Sequence, residues 1–161
     1  MEQKIVPNLW FDTEAEEAAN FYVSVFKKSR VVNVLHYNEA GPRDAGTVMT
    51  VEFELDGQRF VGINGGPEFK FDEAVSFEIK CGGQAEIDYY WERLTEGGEE
   101  SQCGWLKDRY GLSWQVVPTG MEELFTDPDS ERGQRAMEAM LQMGKIDLGA
   151  LQRAADGVPA S

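Results

Sequence analysis

The chain has 161 residues, enough for one domain with a sizeable core or for two small modules sharing one. Its 29 acidic residues against 15 Lys and Arg give a net charge of -14, which leaves no basic stripe for a nucleic acid or an anionic membrane. The opening MEQKIVPNLWFD lacks the basic and then apolar regions of a signal peptide, and no stretch approaches the ~20 apolar residues of a membrane span. Cys81 and Cys103 are widely spaced, as buried thiols of a reducing cytosol are, so a cytoplasmic protein is expected.

In chain order, KIVPNLWF reads as a strand. TEAE follows as a capping box, with Thr13 placed to cap a helix and Glu16 to bond back. Ala18, Tyr22, Val25 and Phe26 then recur at helical spacing. Three strand-like runs come next, SRVVNVLHY, GTVMTVEFEL and QRFVGING, with Asp56-Gly57 as a hairpin turn between the last two.

From residue 74 the order recurs. AVSFEIKC is a strand with Val75, Phe77, Ile79 and Cys81 on one face. GGQAEIDYYWERLTEGG is a helix between glycines, with Ile87, Tyr90, Trp91 and Leu94 as its apolar stripe. GEESQCGW and LSWQVVP read as strands around a turn at Asp108–Gly111. EAEEAANFY and QAEIDYYW share a small-acidic opening and paired aromatics, so one β-α-β-β-β unit is used twice. The fold predicted is α+β: two βαβββ modules forming a curved mixed sheet around a cavity, plus a C-terminal helical tail. Residues 1–118 make that domain, with modules at about 1–68 and 72–118, and residues 119–161 make the helical extension.

In the tail, Asp127-Pro128 offers a helix start, with Asp as cap and Pro in the first turn. Met137, Met140, Leu141, Ile146, Leu148 and Leu151 supply its apolar face. That face packs either on its own sheet or, since Met suits adaptable contacts, on a second subunit. A homodimer is expected.

The segments LWFDTEAEEAANFYVSVF, INGGPEFKFDEAVSF and CGWLKDRYGLSWQVVP together resemble the vicinal oxygen chelate superfamily, which includes glyoxalase I and the fosfomycin-resistance proteins. Within it they are most similar to the PhnB-like group that carries the name demethylubiquinone methyltransferase. The resemblance implies a divalent metal held by one His or Glu on each of four strands. Those positions fall at Val6 or Pro7, near Val61 to Asn64, at Ala74 or Ser76, and at Gln115, where the family has Glu. A neutral amide is a poor ligand for zinc, nickel or iron. The single histidine, His36, lies on the second strand and reads as an ordinary sheet residue. Neither a metal nor another cofactor is expected. The group name would imply methyl transfer, but Gly65-Gly66-Pro67 is followed by EFKFDEA, which is no helix, so it reads as a loop at the cavity rim and not as a nucleotide-binding turn.

Alternation assigns the cavity. If Phe77 and Ile79 face the helices, Ser76 and Glu78 face the other way; if Trp114 is helix-side core, Gln115 is cavity-side. Asn8 and Trp10 share a face on the first strand, and Asn64 and Trp105 are further candidates. These seven residues predict a small-molecule site. One reading is a metal-free binder of an aromatic or amide-bearing ligand. Another is an enzyme in which Glu78, its pKa raised by an apolar cavity, acts as a base. A third is a metal enzyme with ligands elsewhere in the register.

Overall fold

Each half of the chain builds one mixed sheet with a helix on one face, and the strand order is the same in both. The computed structural model describes residues 2–159. It divides into two compact units, Met1–Phe71 and Asp72–Ser161.

In the first unit β1 (Asn8–Phe11) leads to α1 (Ala15–Val25), β2 (Arg30–His36), β3 (Val48–Leu55) and β4 (Gln58–Asn64). The sheet order is β1-β4-β3-β2, with β1 parallel to β4 and the other pairs antiparallel. Alternation turns Leu9, Phe11, Val51, Phe53, Leu55 and Phe60 to the buried face. The buried stripe of α1 is Ala15, Ala18, Ala19, Tyr22 and Val25. Small residues let this helix come close: a Cβ on Gly62 of β4 would lie 3.2 Å from the Cβ of Ala15. Asp56 and Gly57 have φ of 49° and 79°, the left-handed pair that a two-residue hairpin requires, and they join Leu55 to Gln58 as expected.

The expected capping box does not form. The N-cap of α1 is Glu14 and no side chain caps it from within the helix. Instead the Ala15 N–H donates to Oδ1 of Asn64, at 2.8 Å, from the end of β4. A tertiary partner has replaced the local one, and Thr13 is left outside the helix.

The second unit repeats the plan with β5 (Ser76–Cys81), α2 (Gln84–Thr95), β6 (Glu99–Glu100), β7 (Trp105–Lys107) and β8 (Ser113–Pro118). Its order is β5-β8-β7-β6, again with the first pair parallel. Ile87, Tyr90, Trp91 and Leu94 of α2 are buried as expected, together with Cys81, Leu106, Trp114 and Val116 of the sheet. Val75 does not join that face: the strand begins one residue later and Val75 is 64% exposed.

GEESQCGW is not one strand but two. The chain turns between β6 and β7, with φ of 60° at Cys103 and 84° at Gly104. The N–H groups of Cys103 and Gly104 donate to the carbonyls of Met143 and Gly144, so the C-terminal segment takes the hydrogen bonds that a continuous strand would have offered a neighbour.

That segment holds α3 (Met121–Phe125), α4 (Ser130–Met140) and α5 (Leu148–Ala155). The cap of α4 is Asp129, which accepts from Glu131 N–H; Asp127 instead accepts from the Asp129 N–H, so the helix starts later than Asp127-Pro128 predicts. Ala136, Ile146, Leu151 and Ala155 are buried, and Gln84 of α2 bonds both Ile146 and Leu148, which ties the tail into the second unit. Met137 and Leu141 remain exposed at 43% and 52%. Among the described residues no helix is long and apolar enough to cross a membrane.

Candidate functional site

The parallel pairing of β5 with β8 sets Glu78 opposite Gln115, and the antiparallel pairing of β7 with β8 sets Trp105 opposite the same Gln115. These three residues therefore form one row across three strands, on the face opposite the core residue Trp114. Strand spacing makes the row about 10 Å long from β5 to β7. Gln115 is fixed within it: one N–H of its Nε2 donates to Oγ of Ser76 at 2.9 Å, which leaves Oε1 as an acceptor and the second N–H as a donor. Lys80 stands two residues beyond Glu78 on the same face.

The row borders a cleft of about 540 Å³. Glu78, Lys80, Trp105, Gln115 and Val117 line it from the sheet, Cys103 from the β6–β7 turn, and Met121, Glu122, Glu123, Phe125 and Met140 from α3 and α4. Four of the sequence candidates are thus brought together: Glu78, Trp105 and Gln115 on the cleft, and Ser76 bonded to Gln115. The helical wall was missed, because nothing in the local pattern of Met121, Phe125 or Met140 tells which sheet they approach. Glu78 is exposed, so it lacks the apolar enclosure that the sequence reading invoked to make it a base.

A buried carboxylate supports this row from behind. Asp108 is 2% exposed; its Oδ1 accepts from the N–H groups of Tyr110 and Leu112, and its Oδ2 accepts from Trp114 Nε1 at 2.9 Å. It holds the Asp108–Gly111 turn and anchors the tryptophan on the helix side of β8, which keeps Gln115 on the other. The signal for it was an Asp opening a turn before a Trp-bearing strand, which the sequence reading took only as a turn. Burial pushes the Cys81 thiol up to about 12, with Glu86 adding to the shift, so this cysteine is an inert core residue.

The remaining candidates belong to the first unit. Asn8 and Trp10 lie on the open face of β1, beside Val61 and Ile63 of β4. Asn8 is exposed and its amide donates to the Val6 carbonyl. Trp10 donates from Nε1 to the Gly66 carbonyl at 2.8 Å and packs edge-on against Phe69, which pins the loop after β4. Asn64 is corrected outright in orientation. It shares the helix-side face with Phe60 and Gly62, is 5% exposed, and uses both ends of its amide, accepting from Ala15 N–H and donating to the Val48 carbonyl. It borders a separate cleft at the start of α1, with Thr13, Glu16, Arg43 and Thr47.

The donor set does not fit a transition metal. Among the described residues no three His, Cys, Asp or Glu side chains converge as an ion requires. The open-face positions nearest the implied ligands carry amides (Asn8, Gln115), aliphatics (Val61, Ile63), a hydroxyl (Ser76) and a single carboxylate (Glu78). His36 is exposed at the end of β2.

Residues 3–117 match the family model described as 3-demethylubiquinone-9 3-methyltransferase. The PhnB protein from Bacillus cereus is 37% identical over 73% of this chain and 100% of its own, with a TM-score of 0.67. Protein PA1353 from Pseudomonas aeruginosa is 20% identical over 73% of this chain and 98% of its own (TM-score 0.60), and the fosfomycin resistance protein FosX from Mesorhizobium loti is 14% identical over 72% and 90% (TM-score 0.51). The last two share the fold alone. No curated protein matches the chain. The family match ends at residue 117, so α3 and α4, and with them one wall of the cleft, lie beyond it. With the doubled β-α-β-β-β plan and this match over most of its length, the chain belongs to the PhnB-like 3-demethylubiquinone-9 3-methyltransferase family, of the vicinal oxygen chelate fold.

Proposed function

We propose that this protein binds a small organic molecule on the open face of its second sheet, without a metal. Gln115 is the polar anchor, Trp105 the apolar platform and Glu78 the charged group, with Ser76 orienting the amide. The observation that carries this reading is the strand register that puts Glu78, Gln115 and Trp105 in one row on one cleft. A few placed polar groups in a largely apolar concavity are what a ligand site needs. Catalysis with Glu78 as base is the second reading, supported by Glu78 having no ion pair among the described residues where it stands on the cleft wall; its exposure argues for binding over proton abstraction. Methyl transfer, which the family description names, has less support. Gly65-Gly66 leads into a segment without helix and sits against the ring of Trp10, so it offers no strand-to-helix turn for a nucleotide.

The test is a screen of small aromatic amides and amines against 15N-labelled protein. Binding at this site shifts the side-chain amide peaks of Gln115 and the indole peak of Trp105. If the compounds that bind move other peaks and leave these two unchanged, the site is misassigned. If added zinc, nickel or manganese binds stoichiometrically, the metal-free reading is wrong.

The same reading takes the protein as cytoplasmic and as a homodimer, for which Met137 and Leu141 on α4 offer an exposed apolar contact. Light scattering at micromolar concentration is expected to give twice the chain mass, and a monomer would count against the dimer.

A further inference from the structure

Resting on that binding reading, we infer that the cleft selects an organic cation: a protonated amine carrying an aromatic or alkyl body. The argument is a balance of hydrogen-bonding groups. Gln115 gives one of its two N–H donors to Ser76, which turns that end of the amide toward the sheet, and presents Oε1, an acceptor, beside its second N–H. Glu78, Glu122 and Glu123 present carboxylates, which only accept. Lys80 is the one cationic side chain on the wall. None of these four charged groups makes an ion pair among the described residues. A ligand that donates protons and carries positive charge matches three carboxylates and a carbonyl; an anion would face them with one ammonium to offset them.

The rest of the lining sets the body of the ligand. Trp105 stands at one end of the row, two strands from Glu78, and an indole face is the best aromatic partner for a cation or a flat ring. Met121, Phe125 and Met140 close the side with polarizable, adaptable groups. The net charge of -14 raises the local concentration of cations around the whole molecule. Since α3 and α4 fall outside the family match, Glu122 and Glu123 add to this preference from a wall that the family model does not cover.

Three probes with one ring and different ends test it: 2-phenylethylamine, 2-phenylethanol and phenylacetate, titrated at low ionic strength with calorimetry and the Gln115 and Trp105 peaks as readouts. The amine is expected to bind about tenfold tighter than the alcohol, and phenylacetate weakest. Glu78→Gln should remove most of the amine's advantage over the alcohol, whereas Trp105→Leu should weaken both. Tightest binding by phenylacetate would overturn the inference. So would an amine affinity indifferent to Glu78→Gln, which would mark diffuse attraction to an acidic surface. In either case an alcohol that still shifts Gln115 and Trp105 leaves the binding reading standing. If none of the three moves those peaks, the cation inference falls even if another screened compound binds there.

Discussion

The two units share a topology and differ in what their open faces do with charge. Matching the last pairs of the parallel ladders, Phe11 with Asn64 and Cys81 with Pro118, superposes Asn8 on Glu78, Val61 on Gln115 and Glu52 on Trp105. The row that makes the cleft in the second unit is therefore an amide, an aliphatic and a carboxylate in the first. That carboxylate is already engaged: Arg59 bonds Glu52 and Glu54, and Arg30 bonds Glu54, in a ladder across β2, β3 and β4. In the second unit Glu78 and Lys80 carry no ion pair among the described residues, and α3 and α4 add a wall. A duplicated fold keeps its core positions because packing demands them, while the open face is free to diverge. One copy neutralises itself and the other keeps unspent polar groups beside a cavity.

The largest effects should come from the helix-side faces, where the two units are alike. Trp114 and its counterpart Phe60 are both buried, Trp114 bonded to Asp108 and Phe60 stacked on Phe53 at 5.6 Å. Trp114→Ala and Phe60→Ala should each cost about 3–5 kcal/mol in denaturant unfolding. Trp114→Ala belongs at the upper end, since it also strips a hydrogen bond from a buried carboxylate. If either is neutral, the assignment of core and open faces in that unit is reversed.

A smaller effect tests where the units part at the end of the fourth strand. Asn64 holds the first turn of α1, whereas the matching residue, Pro118, has no side-chain donor or acceptor and α2 starts at Gly83 with no side-chain cap. Asn64→Ala should cost about 1–2 kcal/mol, the range of a lost cap with a buried partner. Hydrogen exchange should quicken at the Ala15 amide and not at the start of α2. Thr13→Ala should be near neutral, because the local box it was expected to form is absent.

These contrasts also show what the sequence could disclose. The doubled strand order was legible because period-two alternation and local turn chemistry, such as Asp56-Gly57, decide it within a few residues. On the second sheet Gln115 followed from parity once Trp114 was taken as core, and Ser76 and Glu78 followed from Phe77 and Ile79, whereas Trp105 was a further candidate that parity had not assigned. Parity carried along β4 from Phe60 would have put Asn64 on the helix-side face, where it stands. The α1 cap and the break in GEESQCGW failed because partners distant in sequence, Asn64 and the Met143–Gly144 carbonyls, outcompeted local ones. The helical wall was invisible for the same reason: its place depends on how the tail docks, which no local period encodes.

On the open faces the expected stability effects shrink. Gln115→Leu removes one partly exposed amide and its bond to Ser76, whose hydroxyl water can serve, so it should cost roughly 1 kcal/mol or less. Its counterpart Val61→Thr in the first unit should be similarly mild. Ligand binding should separate them: Gln115→Leu should weaken any compound that shifts the Trp105 peak, and Val61→Thr should not. Equal losses for both would mean that the first unit's face contributes as much as the second's.

The smallest expected effect lies in the ion-pair ladder, and its sign is fixed by Glu54. Hydrogen bonds from Arg30 and then Arg59 hold its carboxyl below the usual glutamate range. A carboxylate with a lowered folded pKa contributes stability that is fully present above its unfolded value and is lost as pH falls through the folded one. The loss is confined to that acid window, and added salt should reduce the contribution, because the pairs are solvent-accessible. A 13C titration of the Glu54 carboxyl should show the depressed midpoint in the native chain and a return toward the ordinary value in Arg59→Gln. A Glu54 midpoint at the ordinary glutamate value in the unsubstituted protein would dissolve the ladder, and with it the contrast between the engaged Glu52 and Glu54 of the first face and Glu78 and Lys80 of the second.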